Sequence, residues 1–303
     1  MTYNYSIHHL IEGRTMWQAI AEQLSETLMF DFTIHEKVRL SGGDISESYM
    51  ISDGEQRYFI KINQREFLPQ FQVEADNIKA LRDTSTVFVP ELVHIGHCKH
   101  NSFLILNYLP TKNLDDSDNS YAFGQKLAEL HLWGEQKEFG FDQDNYIGNT
   151  LQPNKWDKKW CRFFAEQRIG WQLQLASEKG IKLVDIDEFT QIVREQLASH
   201  QPRPSLLHGD LWYGNVANTP FGPICYDPAC YWGDRECDLA MTELFGGFSQ
   251  EFYRGYQSVN PLDAGYQQRM PIYNLYHVLN HYNLFGGHYL EQAESLIERV
   301  QAF

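Results

Sequence analysis

Apolar side chains at Trp17, Ile20, Leu24 and Leu28 recur at three- and four-residue steps, so residues 11–30 are expected to form an amphipathic helix. The step then shortens to two. Residues 32–40 alternate as a strand, Ser-Gly-Gly-Asp at 41–44 interrupts them, and residues 46–52 resume the alternation before a tight turn at Asp53-Gly54. Residues 57–63 make a third strand with Lys61 between two isoleucines. Helical spacing returns through Phe71, Ala75, Ile78 and Leu81 in 67–81. Strands at 91–96 and 102–107 complete an expected five-stranded antiparallel sheet, which Asn107-Tyr-Leu-Pro110 brings to an end.

Beyond that point the pattern is mainly helical, with helices expected over 121–133, 155–179, 184–200, 250–258, 266–285 and 289–300. Residues 111–120 are polar and acidic and read as a loop or short helix, and 139–150 form an aromatic, glycine-rich loop. One stretch departs from helix. Asn218-Thr-Pro-Phe-Gly-Pro223 is dense in turn formers, so 206–207 and 216–217 should lie on one side of a β-hairpin and 224–226 on the other. The fold class expected is α+β in two lobes: 1–107, built on the sheet, and 108–303, mainly helical. The chain's 303 residues suffice for both.

A formal charge of −15 argues against nucleic acid or an anionic membrane surface as partner, since both require a basic face. An anionic ligand must therefore meet local cations. Five cysteines without C-x-x-C spacing suit reduced thiols. The first residues lack a basic segment followed by an apolar run, and no apolar stretch approaches the length of a membrane span, so a cytoplasmic protein is expected. No internal repeat or low-complexity tract is present.

Lys61 supplies one such cation, because an ammonium inside an apolar strand must reach an edge or find an anion. Glu74, thirteen residues later, is placed to pair with it, and Glu66 competes. Gly42 and Gly43 permit the close backbone approach that a loop over phosphates needs. Asp210 and Asn215 are five residues apart in His-Gly-Asp-Leu-Trp-Tyr-Gly-Asn, the spacing of the protein-kinase catalytic loop, and Asp227 follows twelve residues on. Asp210 would orient an acceptor hydroxyl, while Asn215 and Asp227 offer the hard oxygen ligands that Mg²⁺ takes. Trp212 either faces the acceptor or belongs to the core. In kinase-like folds an aspartate on the next helix bonds the catalytic-loop backbone, a place that suits Asp238; Asp234, Arg235 and Glu236 then border the acceptor or are plain surface charge. His131 reads as a satisfied histidine. His277 and His281 are four apart, with no further ligand in sequence to complete a zinc site.

With these residues assembled, the chain resembles the fructosamine kinase (ketosamine-3-kinase) family of the aminoglycoside phosphotransferase branch. The likeness spans nearly the whole length. It is carried by Gly42-Gly43, Tyr58-Phe-Ile-Lys61, 139–150, His208-Gly-Asp-Leu-Trp212, Gly214-Asn215, Asp227-Pro-Ala and Gly233-Asp-Arg-Glu236 running into 238–247. The resemblance implies a two-lobed protein-kinase-like fold, ATP and Mg²⁺ as cofactors, and phosphorylation at O3 of ketoamine sugars on amines or protein lysines, leading to deglycation. It also implies that Asn107, Tyr108 and Leu109 form the hinge whose backbone meets adenine. One departure is Asp44, where many members carry cysteine, which weakens any expectation of redox control there. The alternatives are a kinase of the aminoglycoside or choline type, which would share Asp210, Asn215 and Asp227, and a non-catalytic nucleotide-binding scaffold. A scaffold would be expected to lack one of Lys61, Asp210 or Asp227, and all are present. A protein kinase proper would carry an Ala-Pro-Glu segment, which is missing.

Overall fold

A computed structural model of the chain describes residues 4–40, 46–114 and 116–302. It divides into one unit of Met1–Lys79 with Pro90–Pro110 and a second of Ala80–Val89 with Thr111–Phe303. Gly42, Gly43 and Asp44 lie outside the described residues.

The first unit opens with helix α1 (Asn4–Leu28), followed by strands β1 (Glu36–Leu40), β2 (Glu47–Ser52) and β3 (Arg57–Gln64), helix α2 (Leu68–Asp83), and strands β4 (Leu92–His97) and β5 (Asn101–Asn107). The five strands make one sheet in the order β1-β2-β3-β5-β4, every pair antiparallel. Ile20 and Leu24 of α1 pack on Ile51, Tyr58, Ile60, Ile62, Phe103 and Ile105. The first strand begins at Glu36, four residues later than the alternation suggested. Phe32 is the reason: its N–H donates to Ser25 Oγ at 2.9 Å and its ring stands edge-on to Tyr58, so this residue joins the core beneath α1. The turn after β2 is fixed by the Asp53 carboxylate, which accepts N–H bonds from Glu55 and Gln56, and by Gly54 at φ +104°.

The second unit contains α3 (Ser117–Leu132), strands β6 (Asn145–Ile147) and β7 (Thr150–Gln152), helices α4 (Trp160–Phe164), α5 (Trp171–Glu178) and α6 (Ile186–Gln196), strands β8 (Ser205–Leu207), β9 (Val216–Thr219), β10 (Gly222–Cys225) and β11 (Tyr231–Gly233), and helices α7 (Glu236–Leu244), α8 (Gln250–Val259), α9 (Tyr266–Phe285) and α10 (Tyr289–Gln301). Helix α3 starts four residues earlier than expected because the Asp116 side chain caps it, accepting from the N–H groups of Asp118 and Asn119. The expected helix over 155–179 begins only at Trp160, since residue 157 is tied in a β-bridge to Phe139, and a π-helical turn at Ala165–Gly170 separates α4 from α5. The expected hairpin is also revised. β9 pairs with β10 across the turn, whereas 205–207 pair with Tyr231–Gly233 in a separate two-stranded sheet. Turn formers mark where the chain reverses; they carry no information about which distant strand the preceding segment joins.

Helices α3 and α8 touch backbone to backbone. A Cβ on Gly124 would overlap the Phe252 carbonyl oxygen, and one on Gly255 would overlap that of Tyr121. Among the described residues no helix is long and apolar enough to cross a membrane. All five cysteines are free thiols.

Candidate active site

In the first unit, burial alternates along β3. Tyr58, Ile60 and Ile62 enter the core, so Lys61 projects from the opposite face. There its Nζ meets Glu74 Oε1 of α2 at 2.8 Å, both side chains largely buried. Periodicity delivers Glu74: Phe71, Ala75 and Ile78 bury one stripe of α2, and the glutamate lies beside it. Glu66, the competing carboxylate, is exposed on the 3₁₀ turn before α2. Asn107 ends β5 with its side-chain oxygen accepting the Glu91 N–H at 2.7 Å, and Tyr108 and Leu109 follow as irregular chain.

In the second unit, the segment after β8 is held by five hydrogen bonds. His208 is buried and donates Nε2–H to the Tyr226 carbonyl at 3.1 Å, while its Nδ1 accepts the Asp210 N–H at 3.3 Å. Burial keeps this imidazole neutral by lowering its pKa, which matches that donor and acceptor pattern. The His208 carbonyl accepts the Ala229 N–H at 2.8 Å. The Asp238 carboxylate takes the remaining two bonds, from the N–H of His208 at 2.8 Å and of Gly209 at 2.9 Å. Gly209 itself sits at φ +84°, a conformation glycine adopts without strain.

This frame presents Asp210. Its Oδ2 and backbone carbonyl both accept from Asn215 Nδ2, at 3.2 and 2.9 Å, whereas its buried Oδ1 has no partner among the described residues. Burial, and next the negative charge of Asp227, raise its pKa to about 7, against the opposing Asn215 bond. Asp227 follows β10 in left-handed backbone, φ +59°, which a short polar side chain tolerates best among non-glycine residues. The Tyr226 N–H bonds the Asn215 carbonyl at 3.0 Å and so joins the two segments. Because Asn215 spends its amide nitrogen on Asp210, its amide oxygen remains for another partner. The Asn215 amide oxygen and the Asp227 carboxylate make an all-oxygen donor pair that fits Mg²⁺, beside the unpartnered oxygen of Asp210.

Trp212 is half-buried, its ring edge-on to Phe245 and so close to Gly214 that a Cβ there would overlap the indole. Asp234 and Arg235 have other partners than those expected at an acceptor site. The Asp234 carboxylate is buried and accepts from Tyr273 Oη and His200 Nε2, both at 2.6 Å. Arg235 donates to the carbonyls of Asn260 and Pro261 at 2.6 and 2.7 Å. Both side chains are engaged in holding α7, α8 and α9 together. His200, Asp234 and Glu236 could in principle gather a cation, but Arg269 already occupies both Glu236 oxygens at 2.7 Å. His277 and His281 do not converge on an ion, because the His281 ring bonds the His277 carbonyl. His131 carries more than its local sequence suggests: it is buried between Tyr256 Oη at 2.8 Å and Asp238 Oδ2 at 3.1 Å. No short-range pattern announces a partner 107 residues away.

The family model described as fructosamine kinase matches residues 16–302. The chain belongs to the fructosamine kinase family. A protein of Vibrio parahaemolyticus named probable ketoamine kinase is 71% identical over 288 residues, covering 95% of this chain and 100% of that one. A crystal structure of a putative fructosamine-3-kinase from Haemophilus somnus superposes with TM-score 0.90 at 38% identity, covering 94% of this chain and 97% of the other. A spectinomycin phosphotransferase solved with ADP and spectinomycin gives TM-score 0.58 at 16% identity over 94% of this chain and 93% of its own, a likeness of fold alone. The fold is therefore that of the protein-kinase-like phosphotransferases, and this member of the fructosamine kinase family is a kinase.

Proposed function

We propose that this kinase transfers the γ-phosphoryl group of Mg-ATP to O3 of a ketoamine sugar borne on an amine, including the side-chain amine of a protein lysine. The observation that supports this most directly is Asp210: a carboxylate with one buried oxygen that has no partner among the described residues is suited to take a proton from an alcohol. The O3 oxygen attacks the γ-phosphorus, the bond to the β-phosphate oxygen breaks with its electron pair leaving on ADP, and the hydroxyl proton passes to Asp210. Asn215 and Asp227 would hold a magnesium ion, which would supply countercharge to the phosphates. Lys61, braced by Glu74, neutralises the donor phosphates; Gly42 and Gly43 cover them, and the backbone of 107–109 receives the adenine. Trp212 offers an apolar face to the sugar or its attached chain. Asp238 holds the loop that carries the base.

Phosphate on the carbon next to the C2 carbonyl is a good leaving group. Loss of a C1 proton gives an enol that expels it, and water then cleaves the resulting imine and frees the amine. The kinase step would thus commit a glycated amine to repair in the cytoplasm. Mg-ATP offered with a panel of ketoamine-lysines, aminoglycosides and choline, with ADP release as the readout, tests the proposal. Fastest turnover on a ketoamine, abolished in Asp210→Asn, is expected. Preference for a simple alcohol, or an Asp210→Asn variant as fast as the parent, would overturn it.

A further inference from the structure

Asp238 fixes the catalytic-loop backbone, but a carboxylate cannot hold two amides in register unless it is itself held. It sits at the N-terminal end of α7, fully buried. Its Oδ1 receives the Gly209 N–H, and its Oδ2 receives both the His208 N–H and His131 Nε2. Although burial favours the neutral acid, bonding from His131 and the loop amide keeps its pKa below the usual aspartate range. The imidazole therefore faces a carboxylate, which requires hydrogen on Nε2.

What sets that hydrogen lies further out. Arg235 Nη1 donates to Tyr256 Oη at 3.3 Å, and a guanidinium has no acceptor to offer in return. The tyrosine hydroxyl, having accepted from arginine, turns its own hydrogen to His131 Nδ1 at 2.8 Å. With Nδ1 accepting from Tyr256, it is the hydrogen on Nε2 that is donated to Asp238. The chain of donors thus runs in one direction, from Arg235 through Tyr256 and His131 to Asp238. Arg235 is locked in turn by the Asn260 and Pro261 carbonyls. Glycine makes the middle link possible, since only the backbone contact of α3 with α8 at Gly124 and Gly255 brings Tyr256, one residue after Gly255, against His131.

We propose that Arg235, Tyr256 and His131 are positioning residues whose directed hydrogen-bond chain orients Asp238 and, through it, the His208–Gly209 turn that presents Asp210. None is a catalytic residue. The inference rests on the reading of Asp210 as the base only for its consequence in turnover; its structural content can be measured without substrate.

The test is amide hydrogen exchange of the intact protein, followed at His208 and Gly209. Tyr256→Phe removes one hydroxyl and leaves the ring packing in place, and it should accelerate exchange at both amides roughly fivefold or more. Tyr253→Phe is the control: it lies on the same helix, and its hydroxyl contacts Thr242 and the Phe248 N–H outside the chain. It should leave those two amides within roughly twofold of the parent. Unchanged exchange in Tyr256→Phe would overturn the proposal, and so would equal acceleration in both variants, which would signify general loosening. Loss of activity in Asp210→Asn with these exchange results intact would bear only on the catalytic reading.

Discussion

Gly209 lies against Ala229 so closely that a Cβ on the glycine would overlap the Ala229 carbonyl oxygen. The residue after Gly209 is Asp210, and Asp227 stands two residues before Ala229. The bond from Ala229 N–H to the His208 carbonyl closes the same contact from the other side. The segments that follow β8 and β10, strands of different small sheets, thereby bring their carboxylates near enough for the charge of Asp227 to raise the pKa of Asp210.

Gly209→Ala should therefore damage both stability and turnover. Its φ of +84° disfavours any side chain, and the neighbour in the way is backbone, which cannot swing aside. A loss of about 2–4 kcal/mol in urea unfolding is expected, together with turnover reduced roughly a hundredfold or more. A variant of parental stability and activity would show that the close approach is not required.

The pair of Lys61 and Glu74 predicts a separation of activity from stability. Both side chains are largely buried, 13% and 20% exposed, so the cost of desolvating the two charges offsets most of their attraction and the pair adds little net to folding. Lys61→Met should lower kcat/KM for ATP roughly a hundredfold, with Glu74→Gln having a smaller effect of the same kind and neither moving Tm by more than a few degrees. If Glu74→Gln were instead more damaging than Lys61→Met, the glutamate would have a role other than bracing the lysine.

Much of this ion pair was legible in the chain itself, because two local periods, two in β3 and 3.6 in α2, each fix a side-chain direction, and a short connection leaves few ways to join them. The five strands and the helices of the second half follow from the same periodic signals. The pairing of 205–207 with Tyr231–Gly233 did not, since strand partners far apart in sequence are selected by packing. Nor did the placement of Asp234, whose charge suggested surface or ligand but whose neighbours His200 and Tyr273 come from two other elements. The bond between His131 and Asp238 is of the same sort: both residues are visible, and nothing local states that they meet.

Gly214 is required by the Trp212 ring that covers it. Gly214→Ala should displace the indole and leave the Asp210 frame, which depends on Asp238 and Ala229, intact. The expected result is a KM for the ketoamine raised roughly tenfold, KM for ATP near the parent value, and a shifted tryptophan emission spectrum. Equal increases in both KM values would argue that Trp212 serves the loop as a whole and not the acceptor.

His277 makes the protein's stability depend on pH in a direction that can be worked out. The ring is 3% exposed, its Nδ1 has no partner among the described residues, and burial, reinforced by the neighbouring His281, pushes its pKa down from 6.5 to about 3. Folded protein keeps the ring neutral over a range in which the unfolded chain protonates it. Between pH 6.5 and 3 the unfolded state thus binds more protons, so stability falls as pH falls, by about 1.4 kcal/mol per pH unit from this group alone. Above pH 6.5 neither state is charged and the contribution is flat. His277→Asn removes the titration while keeping a polar side chain, so the variant should gain on the parent by about 2 kcal/mol between pH 8 and pH 5, whatever packing it loses at both. Urea unfolding at the two pH values measures this. The same stability gap at pH 5 as at pH 8 would mean that His277 takes up its proton without unfolding, and that its burial does not exclude the charge.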